Sequence, residues 1–178
     1  MLNKKDGIDA LLVAADEAIR TLSSMPRAHR DSPAKNIASS QLSTEERANS
    51  IRLMRVNHSG EISAQALYRG QAIFARSSAT QQHLLQAASE EEDHLAWCSE
   101  RLTQLGGRPS LLDPLWYTGS FLTGLMAGAA GDKISLGFVA ETERQVEAHI
   151  EDHLSRLSEK DTKSVSILEK MAQDEAHH

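Results

Sequence analysis

Two copies of Glu-x-x-His, each on an apolar helical face and each with another glutamate upstream, restrict this chain to very few folds. Glu61 precedes Glu91 by 30 residues, and His94 lies three beyond Glu91. Glu143 precedes Glu175 by 32, and His178 lies three beyond Glu175. On one straight helix Glu61 and Glu91 would stand about 45 Å apart. A turn at residues 77–80 folds them back as antiparallel neighbours, and a turn near 158–162 does the same for the second pair. Two such hairpins, packed as a bundle, gather four carboxylates and two imidazoles in one interior.

Helical spacing selects which carboxylates face inward, because residues three and four apart share a face. Read as a string, Glu90-Glu91-Glu92-Asp93 is a solvated charge run. Stepping from Glu91 instead gives Leu84, Ala87, Ala88, His94, Leu95, Cys98 and Leu102. The face of Glu92 is mixed, with Ser89 and Ser99 beside Leu85 and Leu95. Glu143 shares its face with Leu136, Val139, Ala140, Val146 and Ile150, a more apolar set than Glu141 has. Glu175 sits with Leu168, Met171 and Ala172. Glu61 has Met54, Asn57, His58, Ala64, Gln65 and Tyr68, which leaves open an inward or a surface position.

A buried carboxylate is costly unless it is paired or bound to metal. Four crowded together raise one another's pKa and oppose folding. Two divalent cations cancel the four charges, and a carboxylate–imidazole donor set suits iron or manganese. One Glu from each of two helices, with Glu-x-x-His from each of the other two, is the ligand set of ferritin-like di-metal bundles.

The rest of the chain reads as helix with little interruption. Ile8, Leu11, Leu12, Ala15, Ile19 and Leu22 form an amphipathic stripe, followed by a polar connector over 23–42. Ser43-Thr44-Glu45-Glu46 is a capping box that opens a helix to about Arg76, with Gly60 and Gly70 inside it. Ser78 or Thr80 caps the next helix, which stops at Gly106-Gly107. Leu115 to Gly131 holds 17 uncharged residues. As a helix that is about 25 Å, short of the roughly 30 Å of a bilayer core. The segment 111–140 therefore reads as a buried or interfacial hairpin, with Gly124 and Gly128 suited to close helix approach and Trp116 and Tyr117 to an interface. Helix resumes from Asp132 to near Ser158, and Asp161 or Thr162 starts the last one.

A net charge of −6 and the lack of any basic run exclude nucleic-acid binding as the main role. The single cysteine, Cys98, excludes a disulfide framework and fits a reducing compartment. Residues 1–5 lack the compact apolar run of a signal peptide.

These motifs resemble one family, the demethoxyubiquinone hydroxylases of ubiquinone biosynthesis (3-demethoxyubiquinol 3-hydroxylases). The likeness spans roughly residues 51–178. It rests on Arg55-Val56-Asn57-His58-Ser59-Gly60-Glu61, Glu91-Glu92-Asp93-His94, Pro114-Leu115-Trp116, Gly131-Asp132-Lys133, Glu141-Thr142-Glu143 and Asp174-Glu175-Ala176-His177-His178. Residues 1–50 resemble the bacterial branch. The resemblance implies an all-α, ferritin-like di-iron four-helix bundle over 43–178, with an extra N-terminal helix and connector over 1–42 and an apolar membrane-facing segment. It implies two iron ions held by Glu61, Glu91, His94, Glu143, Glu175 and His178. Glu91 and Glu175 are the expected bridging carboxylates. His149 matches a position that relays electrons to the irons, although Ile150 stands where some members have Tyr.

The implied activity is O₂-dependent hydroxylation of a prenylated demethoxyquinol. The implied location is the cytoplasmic side of the cell membrane, as a peripheral protein. The resemblance also leaves room for assemblies with other ubiquinone-pathway proteins. The family continues with a further apolar helix where this chain stops at His178, so the chain resembles a C-terminally shortened member. A ferritin-like iron-storage or iron-oxidising protein would use the same ligands without an organic substrate, but a cage needs a polar exterior, which the long uncharged segment does not supply.

Overall fold

The computed structural model describes residues 13, 15–22, 26 and 28–176, and among these every regular element is helical. Residues 15–22 are helical and are labelled α1. Ile8, Leu11 and Leu12 of the expected stripe lie outside the described residues. The bundle helices are α2 (Thr44–Phe74), α3 (Ser78–Leu105), α5 (Asp132–Arg156) and α6 (Thr162–Glu175), with α4 (Asp113–Ala130) inserted between the two hairpins.

Local chemistry sets the ends of these helices. Ser43 and Glu46 exchange side-chain and backbone hydrogen bonds, so the expected capping box opens α2. The cap of α3 is Ser77, not the expected Ser78 or Thr80: its Oγ accepts from the Thr80 N–H. Gly106 closes α3 at φ 76°, where a Cβ would be strained. Asp161 caps α6, accepting from the Ser164 N–H, while Arg101 of α3 pairs with the same Oδ1 at 2.6 Å. Asp132 does similar work at the other end. Its carboxylate accepts from the N–H groups of Arg76 and Ser77 and from the Thr80 hydroxyl, which ties the α2–α3 turn to the start of α5.

The apolar interior forms three clusters among the described residues. Leu53, Met54, Trp97, Cys98, Leu102, Ile150, Leu168 and Met171 belong to the first. Leu67, Tyr68, Leu84, Ala87, Ala88 and Val139 belong to the second, and Ile62, Ala66, Leu95 and Tyr117 form the third, where α4 meets α2 and α3. Along α2, α3 and α5, the residues between the first two clusters include Glu61, Glu91, His94 and Glu143. A polar layer is thus held between two dry ones.

Helix α4 lies directly against α2. A Cβ on Gly124 would collide with the Leu67 carbonyl oxygen, and one on Gly128 would come within 2.6 Å of the Gln71 carbonyl oxygen. Gly70 answers from α2: its Cβ would stand 2.5 Å from Phe121 O. Gly60, by contrast, meets nothing within 4 Å, so close packing does not explain it. Gly131, at φ 110°, is the single residue between α4 and α5 and the point where segment 111–140 bends. No helix among the described residues is long and apolar enough to cross a membrane. The outer face of this segment is nevertheless apolar: Leu115, Trp116, Leu122, Met126, Ile134 and Phe138 are all exposed.

The polar connector is not loose. Residues 28–34 run as a strap over α3 and α6, with Ala34 buried in the core and the Pro33 carbonyl accepting from Ser166. α1 is anchored through Arg69 of α2, which pairs with Glu17 at 2.8 Å and with Glu92 at 2.6 Å.

Candidate metal centre

Four of the six expected ligands converge. One donor atom from each of Glu61, Glu91, His94 and Glu175 lies within 4.8 Å of the others, and all four residues are buried. Nδ1 of His94 stands 3.1 Å from Glu91, 3.6 Å from Glu175 and 3.7 Å from Glu61. Glu143 is buried as well; it lies outside the four-residue group, and its charge acts on Glu175. His178 lies outside the described residues. The open question about Glu61 resolves inward, because α3 packs along α2 over the face it shares with Tyr68 and Gln65, and Gln65 Nε2 donates to the Glu91 carbonyl. Glu92, as expected from its mixed face, points outward to Arg69.

The donor set fits a cation. His94 Nε2 lies 3.1 Å from Asp174 Oδ2, and its Nδ1 faces three carboxylates. A neutral ring carries one proton, so a ring donating to Asp174 turns a bare lone pair toward those carboxylates. That arrangement needs positive charge on Nδ1, from a proton or a metal. Glu175 Oε2 is buried with no hydrogen-bond partner among the described residues, an orphan acceptor that a metal ion would satisfy.

Without metal the cluster holds protons. Burial, then repulsion from Glu61, pushes Glu91 up to about 8. Burial, then repulsion from Glu91, brings Glu175 to about 8. Burial disfavours charge on His94, but hydrogen bonds with Asp174, Glu61 and Glu91 outweigh it and raise its pKa well above the ordinary value. All three shifts have one sign. These three groups bind more protons in the folded metal-free protein than in the unfolded chain, so their contribution to stability falls as pH rises from about 4.5 through about 8. Metal binding requires those protons to leave. The gain in Tm on metal loading should therefore widen between pH 5.5 and 8, by about 10 °C if the linkage amounts to a few kcal/mol. Scanning calorimetry of both forms across that range checks this; a constant gap would refute it.

A cavity of about 470 Å³ opens onto the cluster. Glu61, Glu91, Glu175 and Tyr68 form its buried floor, Ser63, Ala64 and Val146 its walls, and Val56, Leu112, Trp116 and His149 its exposed rim. Gly60 lines it too, so a side chain there would enter this space. His149 is thus at the mouth, not beside the carboxylates. Its ring lies 3.8 Å from that of His153, which is buried and pushed down to about 4 by burial and then by the charge of His149. Asn57 Nδ2 donates to Leu53 O and stands 3.0 Å from His153 Nδ1. The residues that sequence reasoning did not single out are Asp174, Tyr68, Asn57 and His153. The last had one usable sign, its position four residues after His149.

The sequence profile of the family described as ubiquinone biosynthesis protein COQ7 matches residues 48–178, all of the bundle but the first turn of α2. This chain belongs to the COQ7 family. Among curated members, it is 54% identical over 173 residues to the 3-demethoxyubiquinol 3-hydroxylase of Legionella pneumophila (strain Paris), covering 96% of this chain and 81% of that protein. Two others of the same name, from Cupriavidus taiwanensis and a Polaromonas species, are 53% and 56% identical over 96% of this chain and 84% and 82% of their own lengths. The matched residues of the COQ7 profile include every candidate ligand and the apolar helix α4.

Proposed function

We propose that this protein is a 3-demethoxyubiquinol 3-hydroxylase: a di-iron monooxygenase that adds a hydroxyl to the ring of a prenylated demethoxyquinol during ubiquinone biosynthesis. The observation that carries this reading is the cavity that leads from an apolar, exposed rim to a floor of buried carboxylates. A quinol ring fits at the polar floor while its tail leaves over Leu112 and Trp116.

Glu61, Glu91, Glu143 and Glu175, with His94 and His178, would hold the two irons. Bound and reduced, two irons there would supply the two electrons and the O₂ activation that ring hydroxylation requires, with one oxygen atom of O₂ going to the ring and the other to water. The chain's own part is positional. Asp174 holds the His94 ring, the apolar clusters above and below the polar layer leave the cavity as its way in, and Tyr68 keeps its proton because burial and the neighbouring glutamates raise its pKa. His149, at the cavity mouth, is where we place the relay of electrons from a quinol. Ile150, next to it in sequence, is fully buried in the core and supplies no phenol there. Single turnover of the iron(II)-reconstituted protein with a short-tail demethoxyquinol under ¹⁸O₂ should place one labelled oxygen on the ring, read by mass spectrometry. Iron oxidation with no labelled product would leave an iron-binding protein and end this reading.

A substrate that lives in the bilayer favours a peripheral protein on the cytoplasmic side of the cell membrane. The exposed face of α4 and the first turns of α5 supports this, with Leu115 61% and Met126 67% exposed. Trp116→Glu with Leu115→Glu should lower co-sedimentation with phosphatidylcholine–phosphatidylglycerol vesicles at least tenfold, an order of magnitude matching about 2 kcal/mol of lost apolar burial. Because these side chains already face solvent, Tm should barely move. Unchanged vesicle binding would rule out this face as the docking surface.

A further inference from the structure

We propose that Arg30 is a positioning residue of the metal centre, acting through Asp174 on the orientation of the His94 imidazole. The inference rests on the metal-centre reading and extends it to a residue outside the 48–178 range of the COQ7 profile.

Arg30 belongs to the strap that precedes the bundle. Its Nη1 donates to Asp174 Oδ2 at 2.8 Å, the same oxygen that lies 3.1 Å from His94 Nε2. Its Nε donates to Asp93 Oδ2 at 2.5 Å, and the backbone N–H groups of His29 and Arg30 hold the other oxygen of Asp93. Asp93 adjoins His94 on α3, and Asp174 adjoins Glu175 on α6. One guanidinium therefore clamps the neighbours of two ligands on two helices.

Arg30 is itself held in place. The guanidinium carbon lies 5.0 Å over the Trp97 ring, and Trp97 Nε1 donates back to the Arg30 carbonyl at 3.3 Å. Charge neutralisation alone does not explain the contact. Lys170 already pairs with Asp174, and it does so at Oδ1, leaving Oδ2 to Arg30 and His94. What Arg30 adds is direction: it fixes the plane of the Asp174 carboxylate, and that carboxylate aims the His94 lone pair at the carboxylate cluster. A planar fork can reach two carboxylates at once, whereas a lysine ammonium is a point charge on a flexible stem.

The test is cobalt(II) titration of the metal-free full chain, read by the visible d–d spectrum, for wild type, R30Q, R30K, D174N and R30Q/D174N. In R30Q the ion bound by His94 should weaken about tenfold, the usual scale for a lost outer contact to a ligand. Its spectrum should shift while the second ion is unaffected. R30K should stay closer to R30Q than to wild type. In the D174N background R30Q should add no further loss. Wild-type affinity and spectrum in R30Q, full rescue by R30K, or losses that add in the double variant would each overturn the proposal. A fall in Tm with unchanged cobalt binding would also overturn it, since Arg30 would then only fasten the strap. Failure of the wild-type chain to bind cobalt would instead remove the metal-centre reading on which the proposal stands.

Discussion

Replacing Glu91 by glutamine should abolish ring hydroxylation, by at least about a thousandfold, and yet make the metal-free protein more resistant to heat at pH 8. The two effects have one cause. Glu91 is 1% exposed and lies within reach of Glu61, Glu175 and His94. Such a carboxylate opposes folding when it carries an uncompensated charge, which is why its pKa rises to about 8. Glutamine keeps the shape and removes the charge. Each pKa unit corresponds to about 1.4 kcal/mol. With about 2–4 °C per kcal/mol for a chain of this size, metal-free Glu91→Gln should melt about 5 °C or more above metal-free wild type at pH 8. The difference should vanish near pH 5, where wild-type Glu91 is already protonated. An amide is a poor iron ligand, so iron content should fall and activity with it. Calorimetry, metal analysis and product formation on one preparation check all three. A Glu91→Gln variant that binds two irons and hydroxylates would refute the ligand assignment.

Gly124→Ala should cost about 3 kcal/mol or more of stability, far above the usual effect of one methyl group. The added Cβ would fall on the Leu67 carbonyl oxygen, a backbone atom of a helix that cannot step aside. α4 must then lift from α2 along the whole contact that Gly124 and Gly128 make. Because α4 and its N-cap residue place Trp116 and Leu112 at the cavity rim, KM for the quinol should rise. The four converging donors lie on α2, α3 and α6, so metal affinity should change little. Gly119→Ala is the matched control on the same helix. Its Cβ would meet nothing within 4 Å, and alanine is the better helix former by up to about 1 kcal/mol. Equal thermal shifts in the two variants would show that close approach at residue 124 does not matter.

Much of this centre was legible from residue order because it is written in a helical period. Glu91 could be told from Glu90 and Glu92 by stepping three and four residues, and it is the one that is buried against His94. The capping box at Ser43 and Glu46 and the stop at Gly106 depend on a few adjacent residues, and they formed as local chemistry dictates. The N-cap of α3 is Ser77 rather than the expected Ser78 or Thr80, because three hydroxyl residues within four positions compete for it. Glu61 was ambiguous because its face carries Asn57, His58 and Gln65, polar residues whose burial depends on other helices. His149 was named as a functional residue on resemblance, and its place at a cavity mouth could be seen only once α4 and α5 were set against α2.

By itself the sequence determined the helices, most of their ends to within a few residues, the pairing of each upstream glutamate with a Glu-x-x-His, and the apolar character of α4. Each follows from residues within a few turns of one another, or from a spacing that a single turn folds back. Only the tertiary structure decided that Asp174 holds His94, that Arg30 reaches Asp174 across 144 residues of chain, and that Gly124 sits on the backbone of Leu67. The physical reason is that no periodicity links such residues. They meet because separate apolar faces are buried together, and that burial brings their polar neighbours within hydrogen-bonding distance.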